Sequence, residues 1–218
     1  LHRLWEVDQI IQDCIDNYNF HMMFTTLLNF CSNDLSSFYF DIRKDSLYCD
    51  SLDTPKRKST VIFLNILLEI LLKWFAPILS FTTEEIYRLV KIDSKKSIHL
   101  ESFPDIPSKW NNKKLETKWM ELIKIRETCN SSIELKRASK EIGSSLEANL
   151  IIKLQDQLLE LTKDVDFSEL CITSGAKVEK NNSSEINVET LKAEGQKCSL
   201  CWKIKKNKCE RENHCGLV

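Results

Sequence analysis

Glycine is scarce in this chain, which has four glycines among its 218 residues. So few glycines leave no Gly-rich loop of the kind that cradles phosphates in dinucleotide-binding or P-loop proteins. The histidines are equally few, and all of them are isolated from plausible nucleophiles: His2, His21, His99 and His214. No acyl-transfer arrangement is therefore expected.

An excess of charge of either sign is also missing. The 31 basic residues nearly cancel the 32 acidic residues, which leaves a formal net charge of -1. Such a balance neither favours nor disfavours a nucleic-acid partner, because only local patches of charge could attract one.

The one long apolar run, residues 61–79, lacks the continuity of a membrane span. Asn65, Glu69 and Lys73 interrupt it every four residues and so form one polar stripe on a helix. We expect a helix that is buried on most of its circumference and is not in a membrane, with Glu69 and Lys73 forming an i,i+4 ion pair. The N-terminus shows no signal peptide, since a helical pattern with charges begins at once. The absence of an initiator Met fits a mature chain or a fragment, and a reducing cytoplasm is the expected compartment.

Hydrophobic periodicity predicts a mainly α chain that begins with a helical bundle. Pro55 suits the first turn of a helix, Pro77 should end that helix, Thr82 begins a capping box, and Gly143 should end the last long helix. The predicted helices cover residues 4–18, 21 to the early forties, 55–76, 82–90 and 113–141.

After residue 142 the period changes to two, which indicates a small α+β unit. Strands are predicted at 146–154, 169–173 and 186–191, a short helix at 155–163, and at most one short strand at 98–100 in a loop over 93–109. The predicted domains are a bundle over 1–141, an α+β junction over 142–194 and a metal knuckle over 195–218.

The cysteines divide into two groups. Five stand singly among apolar residues and are expected to be free core thiols: Cys14, Cys31, Cys49, Cys129 and Cys171. The other four, Cys198, Cys201, Cys209 and Cys215, lie close together, and a Cys-x2-Cys turn followed by further thiols predicts one tetrahedral Zn2+ site. Four protein ligands leave no open coordination position, which indicates a structural metal. Two alternatives remain: His214 replaces one of the cysteines as a ligand, or the four thiols bind no metal.

Local basic patches are the candidate contacts for RNA phosphates. Ordinary solvated surface, or compensation of thiolate charge at the knuckle, is the alternative interpretation. Trp202 follows the second knuckle cysteine and should be too exposed to serve only as core, which makes it a candidate for base stacking. The candidate cations are Arg43, Lys44, Lys56, Arg57, Lys58, Lys136, Arg137, Lys203 and Lys205.

Four stretches resemble, in order, the C-terminal part of bacterial-type isoleucyl-tRNA synthetases, a class I family. Residues 38–48 (FYFDIRKDSLY) and 76–87 (APILSFTTEEIY) are similar to its anticodon-binding helical domain. Residues 142–148 (IGSSLEA) resemble its IGxSLEA turn, and residues 197–202 (KCSLCW) resemble the opening of its zinc knuckle. Two departures stand out: Leu200 replaces a frequent Arg, and Cys209-x5-Cys215 replaces a second Cys-x2-Cys.

The resemblance implies a chain that binds the anticodon arm of tRNA(Ile), with Trp202 near the anticodon. It also implies upstream catalytic and editing domains that use ATP and Mg2+ to join isoleucine to its tRNA. Neither the His-x-Gly-His nor the Lys-Met-Ser-Lys signature is present, so this chain alone should be catalytically inactive. We expect a monomer. The alternative from another class is a zinc-stabilised helical adaptor that binds protein.

Overall fold

The computed structural model describes residues 1–91, 96–181, 183, 185–207 and 209. They form two compact units. One comprises Leu1–Arg43 and Leu52–Asn112, and the other comprises Lys44–Ser51 and the described residues from Lys113 onward. None of the described helices combines the length and apolar composition that crossing a membrane requires.

The first unit is helical. Its elements are α1 (His2–Asp16), α2 (Phe20–Asn29), a π-helical stretch (Phe30–Phe40), the start of α3 (Asp41–Cys49), α4 (Pro55–Phe75), α5 (Ser80–Val90) and 3-10 turns at Ile98–Leu100 and Ser108–Trp110. The predicted helices are present here, but the second one continues to Cys49 rather than ending in the early forties. It also includes a π-helical stretch that the apolar pattern does not reveal. Helix α4 begins at Pro55 and ends ahead of Pro77, as predicted.

Helices α1 and α4 form the centre of the core of the first unit. Trp74 on α4 is fully buried, and its Nε1 donates a hydrogen bond to Oδ1 of Asp8 on α1 at 3.3 Å. Burial raises the pKa of the Asp8 carboxyl despite this hydrogen bond. The other buried members of the cluster are Leu4, Val7, Ile11, Cys14, Met23, Leu27, Phe30, Leu35, Leu67 and Ile70.

One local prediction for the first unit is wrong, and a short strand that the sequence allowed is absent. Glu69 does not pair with Lys73; it pairs with Lys91 at 2.8 Å, while Lys73 lies 3.8 Å from Glu101. Glu69 and Lys73 therefore do not bind each other; each binds a residue of a later segment, Lys91 or Glu101, and holds that segment against α4. Ile98–Leu100 is a 3-10 turn and not a strand, because Ser97 caps it by accepting a hydrogen bond from His99 N–H.

The predicted capping box at the start of α5 is wrong as well. The helix begins two residues before Thr82, at Ser80, and no side chain caps it. The Thr83 hydroxyl instead donates to the Leu79 carbonyl at 2.9 Å, and Glu84 accepts hydrogen bonds from Ser97 and Ile98.

The second unit combines a long helix with a small mixed sheet. Its elements after α3 are α6 (Lys113–Ala138), a 3-10 turn at Ser145–Glu147, β1 (Ala148–Leu154), α7 (Asp156–Thr162), α8 (Phe167–Leu170), β2 (Gly175–Lys180) and β3 (Asn187–Lys192). The strand order is β2-β1-β3, with β1 parallel to β2 and antiparallel to β3. Ser132 on α6 contacts Thr190 on β3 through their hydroxyls at 2.7 Å, so α6 covers one face of the sheet.

The predicted elements of this unit are confirmed in part. Strands β1 and β3 and helix α7 lie where the sequence predicts them, but residues 169–173 are not a strand. The short helix α8 ends at Leu170, and Ile172 has a φ of 56°, which no strand residue adopts. Helix α6 ends at Ala138 rather than at Gly143, because Lys140 takes the left-handed conformation with a φ of 59°. A mainly α chain with a small α+β part is confirmed; the division at residues 141 and 194 stays a prediction.

Candidate metal site and nucleic-acid interface

A short hairpin near the end of the second unit carries the first two knuckle cysteines. Strands β4 (Gln196–Lys197) and β5 (Ile204–Lys205) pair antiparallel. The loop between them is closed by two backbone hydrogen bonds, from Cys198 N–H to the Lys203 carbonyl at 2.9 Å and from Trp202 N–H to the Cys198 carbonyl at 3.1 Å. The hairpin therefore holds Cys198 and Cys201 on one tight turn at the start of the predicted metal knuckle (195–218).

Three buried thiols meet at the knuckle. The sulfurs of Cys198, Cys201 and Cys209 all lie within 4.8 Å of one another, and those of Cys201 and Cys209 are 3.9 Å apart. Bonds of about 2.3 Å to a tetrahedral Zn2+ separate sulfurs by about 3.8 Å, so this spacing fits a metal. This cluster could hold a metal ion. The predicted fourth ligand Cys215 and its alternative His214 lie outside the described residues.

The backbone around the thiols also suits a metal-thiolate turn. Burial opposes ionisation of Cys198, but backbone N–H groups of Cys201 and Leu200 donate to its sulfur and hold its pKa below the ordinary value. Burial raises the pKa of Cys201 to about 11. A cation among the sulfurs reverses that balance, because a coordinating thiol is deprotonated.

The knuckle is fixed to the rest of the second unit through Ser174. Ile204 N–H donates to the Ser174 hydroxyl oxygen at 2.6 Å, and that hydroxyl in turn donates to the Leu146 carbonyl. Leu146 lies in the 3-10 turn Ser145–Glu147, which directly precedes β1, so this relay ties β5 of the knuckle to the sheet.

A second attachment joins the knuckle to the carboxyl half of α3. Lys203 Nζ lies 3.7 Å from the Asp45 carboxylate, and the Lys203 side chain is nearly buried. The Cys49 thiol approaches the Leu200 carbonyl at 4.0 Å and packs in the same cluster as the three metal-site thiols. The sequence gives no sign of either contact, because Cys49 and Leu200 are 151 positions apart and Asp45 and Lys203 are farther apart still.

Trp202 projects from the knuckle with 60% of its surface exposed, as predicted. Its φ of 61° lies in the left-handed region, which bulky side chains rarely adopt. The hydrogen-bonded loop holds it there, and Lys197 Nζ stands 5.4 Å from the ring centroid. An exposed aromatic face beside a cation is suited to stacking on an unpaired base next to a phosphate.

The predicted cations of the second unit differ in their surroundings. Lys44 and Lys205 are exposed, whereas Lys203 is engaged with Asp45. Lys136 and Arg137 on α6 each pair with an acidic neighbour at 2.7 Å, Glu141 and Glu134 respectively.

The remaining predicted cations belong to the first unit. Arg43 is a hydrogen-bond partner of the Tyr39 hydroxyl, and burial raises the pKa of that hydroxyl. Lys58 pairs with Asp53 at 2.8 Å. Lys56 is exposed and Arg57 is half-buried at the start of α4.

Comparison with known proteins identifies the family of the larger part of the chain. The family described as "Anticodon-binding domain of tRNA ligase" matches residues 1–152. The chain therefore belongs to the anticodon-binding domain family of tRNA ligases.

Individual relatives extend the likeness over nearly the whole chain. An isoleucine–tRNA ligase of Pelagibacter ubique is 58% identical over 213 residues, which cover 98% of this chain and 23% of that protein. An isoleucine–tRNA ligase of Agrobacterium fabrum is 39% identical over 94% of this chain and 22% of its own length, and one of Bartonella henselae is 37% identical over 93% of this chain. The chain thus spans less than a quarter of these relatives, and the matched region is their C-terminal part.

Proposed function

We propose that this chain is the anticodon-binding, C-terminal portion of an isoleucine–tRNA ligase and binds the anticodon arm of tRNA(Ile). The observation that carries the proposal is Trp202, an exposed aromatic ring beside Lys197 on a buried thiol cluster. This arrangement offers single-stranded bases a stacking surface in a chain of an anticodon-binding family.

We further propose that the metal is one structural Zn2+. Cys198, Cys201 and Cys209 would hold it together with Cys215, or with His214 in its place. Thiolate ligands at tetrahedral spacing favour Zn2+ over oxygen-seeking cations such as Mg2+. The ion would order a hairpin whose strands have two residues each and which has little core of its own.

The whole ligase would attach isoleucine to tRNA(Ile) with ATP and Mg2+ in catalytic and editing domains outside this sequence. In this proposal the exposed Lys44, Lys56 and Lys205 contact phosphates, while Lys203 positions the knuckle through Asp45. Arg43, Arg57, Lys58, Lys136 and Arg137 stay predicted contacts. A monomer in the cytoplasm completes the proposal.

The test is the affinity of the chain for tRNA(Ile) and for the same tRNA with a changed anticodon, each measured with and without a zinc chelator. We expect tighter binding to the native anticodon, and we expect the chelator to abolish the preference because Trp202 loses its fixed position. Metal content measured on the purified chain should give one zinc per molecule.

Equal and weak binding to both tRNAs would contradict anticodon recognition and would leave only a basic surface. A preference that survives removal of the metal would separate the two proposals: anticodon reading would stand, and the role of the zinc would fall.

A further inference from the structure

The carboxyl half of α3 presents two neighbouring stripes with opposite surroundings. Asp45 and Cys49 are four residues apart and both face the knuckle, through Lys203 and Leu200. One position earlier in the helix, Lys44 and Tyr48 are also four residues apart, and both are exposed. Successive helical residues are rotated by about 100°, so the Lys44–Tyr48 stripe runs directly beside the stripe that holds the knuckle.

Tyr48 is exposed although the next residue in the helix is buried. Its side chain is 78% exposed, whereas Cys49 is 8% exposed. The second unit therefore shows an aromatic ring and a lysine twice on adjoining elements: Trp202 with Lys197 on the knuckle, and Tyr48 with Lys44 on α3. Both pairs offer a π face for a base and a cation for the adjoining phosphate.

The backbone beneath Tyr48 is held in place. Asp45 is tied to Lys203, and the thiol of Cys49 packs against the knuckle cysteines. A tyrosine on such a helix loses few degrees of freedom when a base stacks on it, because only two side-chain torsions need to be fixed.

We propose that Tyr48 is a second base-stacking residue, which receives an unpaired base of single-stranded RNA while Lys44 contacts the flanking phosphate. This inference rests on the proposed function, since the RNA in question is the anticodon loop. It extends the RNA surface from the knuckle onto α3 and gives a role to the tyrosine that ends the 38–48 motif.

The experiment measures binding of the full 218-residue, zinc-loaded chain to an isoleucine-tRNA anticodon stem–loop with 2-aminopurine at single loop positions. Removing one stacking partner costs about 1–3 kcal/mol, so Tyr48→Ala should weaken binding about 5- to 150-fold. In the complex with Tyr48→Ala, the 2-aminopurine at the loop position that Tyr48 contacts should also fluoresce more strongly than in the complex with the unaltered chain. Tyr48→Phe keeps the ring and should bind nearly as the unaltered chain does.

Tyr18→Ala is the matched control, because Tyr18 is 80% exposed but belongs to the first unit. It should leave both the affinity and the fluorescence unchanged. Circular dichroism should show that all three variants fold alike, since both tyrosines are exposed.

The outcomes separate the two proposals. Normal binding by Tyr48→Ala together with weakened binding by Trp202→Ala would overturn the role of Tyr48 and leave the proposed function intact. A loss in Tyr48→Phe as large as that in Tyr48→Ala would overturn stacking, because the hydroxyl would then be the contact. No binding of the stem–loop by the unaltered chain would overturn both proposals.

Discussion

Single residues at the knuckle depend on backbone conformations that few side chains tolerate. Gly195, just before β4, has a φ of 133°, and a Cβ built there would clash with the Lys205 carbonyl oxygen. That oxygen belongs to the paired strand, so it cannot move away without breaking the hairpin. Glycine is therefore required at this position for both its conformation and its size.

Gly195→Ala should destabilise the knuckle by about 1–3 kcal/mol through backbone strain, and the contact with Lys205 should add to this loss. We expect weaker zinc binding in a competition assay with a chromophoric chelator, and a lower melting temperature.

Gly143→Ala is the control, since its nearest contact would be the flexible Glu147 carboxylate at 3.3 Å. It should change the free energy of unfolding by less than about 1 kcal/mol. Equal effects of the two substitutions would contradict the special role of Gly195.

At the scale of elements, the sequence predicts long periodic segments well and short ones poorly. The sequence predicts helix α4 correctly, because Pro55 and Pro77 mark its ends. The knuckle strands β4 and β5 could not be predicted, since two residues are too few to show an alternation of apolar and polar side chains. The π-helical stretch Phe30–Phe40 also left no signal, because its altered hydrogen bonding shifts the apolar face without breaking the helix.

The same limit applies to interactions between elements. Glu69 was assigned a partner one turn away, but its partner Lys91 lies on the segment after α5. Likewise, the Cys-x2-Cys spacing predicted the thiol cluster, but nothing in the sequence connected Cys49 or Asp45 with it. Local spacing reveals ligands on one turn, whereas attachments between distant segments require the fold.

Glu84 links the first turns of α5 to the 3-10 turn at Ile98–Leu100 and should make the first unit sensitive to acid. Hydrogen bonds from Arg88, Ser97 and Ile98 N–H lower the pKa of this carboxyl from 4.5 to about 2. Because the pKa in the folded chain lies below that in the unfolded chain, the stabilisation is complete above about pH 4.5 and is lost as the pH falls towards 2.

Glu84→Gln should therefore lower the urea midpoint at pH 6 and reduce the further drop between about pH 5 and pH 3. Glu85→Gln, at the exposed neighbouring position, should behave like the unaltered chain. An identical pH profile for Glu84→Gln and the unaltered chain would show that these hydrogen bonds do not set the acid sensitivity.

At the scale of the whole molecule, charge is balanced overall, so any affinity for RNA must come from local patches. The 218 residues carry a net charge of -1, and several cations are paired with carboxylates, as Lys136 is with Glu141. Binding through phosphates should still release counterions wherever lysines such as Lys44 meet the backbone.

We expect the affinity of the chain for tRNA to fall on the order of 10³-fold between 50 and 200 mM salt if about six phosphates are contacted. Lys44→Gln should reduce the slope of log affinity against log salt by about 1. Lys163→Gln, which removes a lysine paired with Glu160 on α7, should leave the slope unchanged. A nearly flat salt response would instead favour an adaptor that binds protein through apolar contacts.

The discontinuity of the second unit has a consequence for how the chain is made. Residues 44–51 belong with residues from 113 onward, and the contact between Cys49 and Leu200 spans 151 positions. A ribosome that adds about 5–20 residues per second needs roughly 8–30 s to supply the second partner after the first. During that interval the carboxyl half of α3 lacks its partners, so it cannot complete its packing until residue 200 has been synthesised.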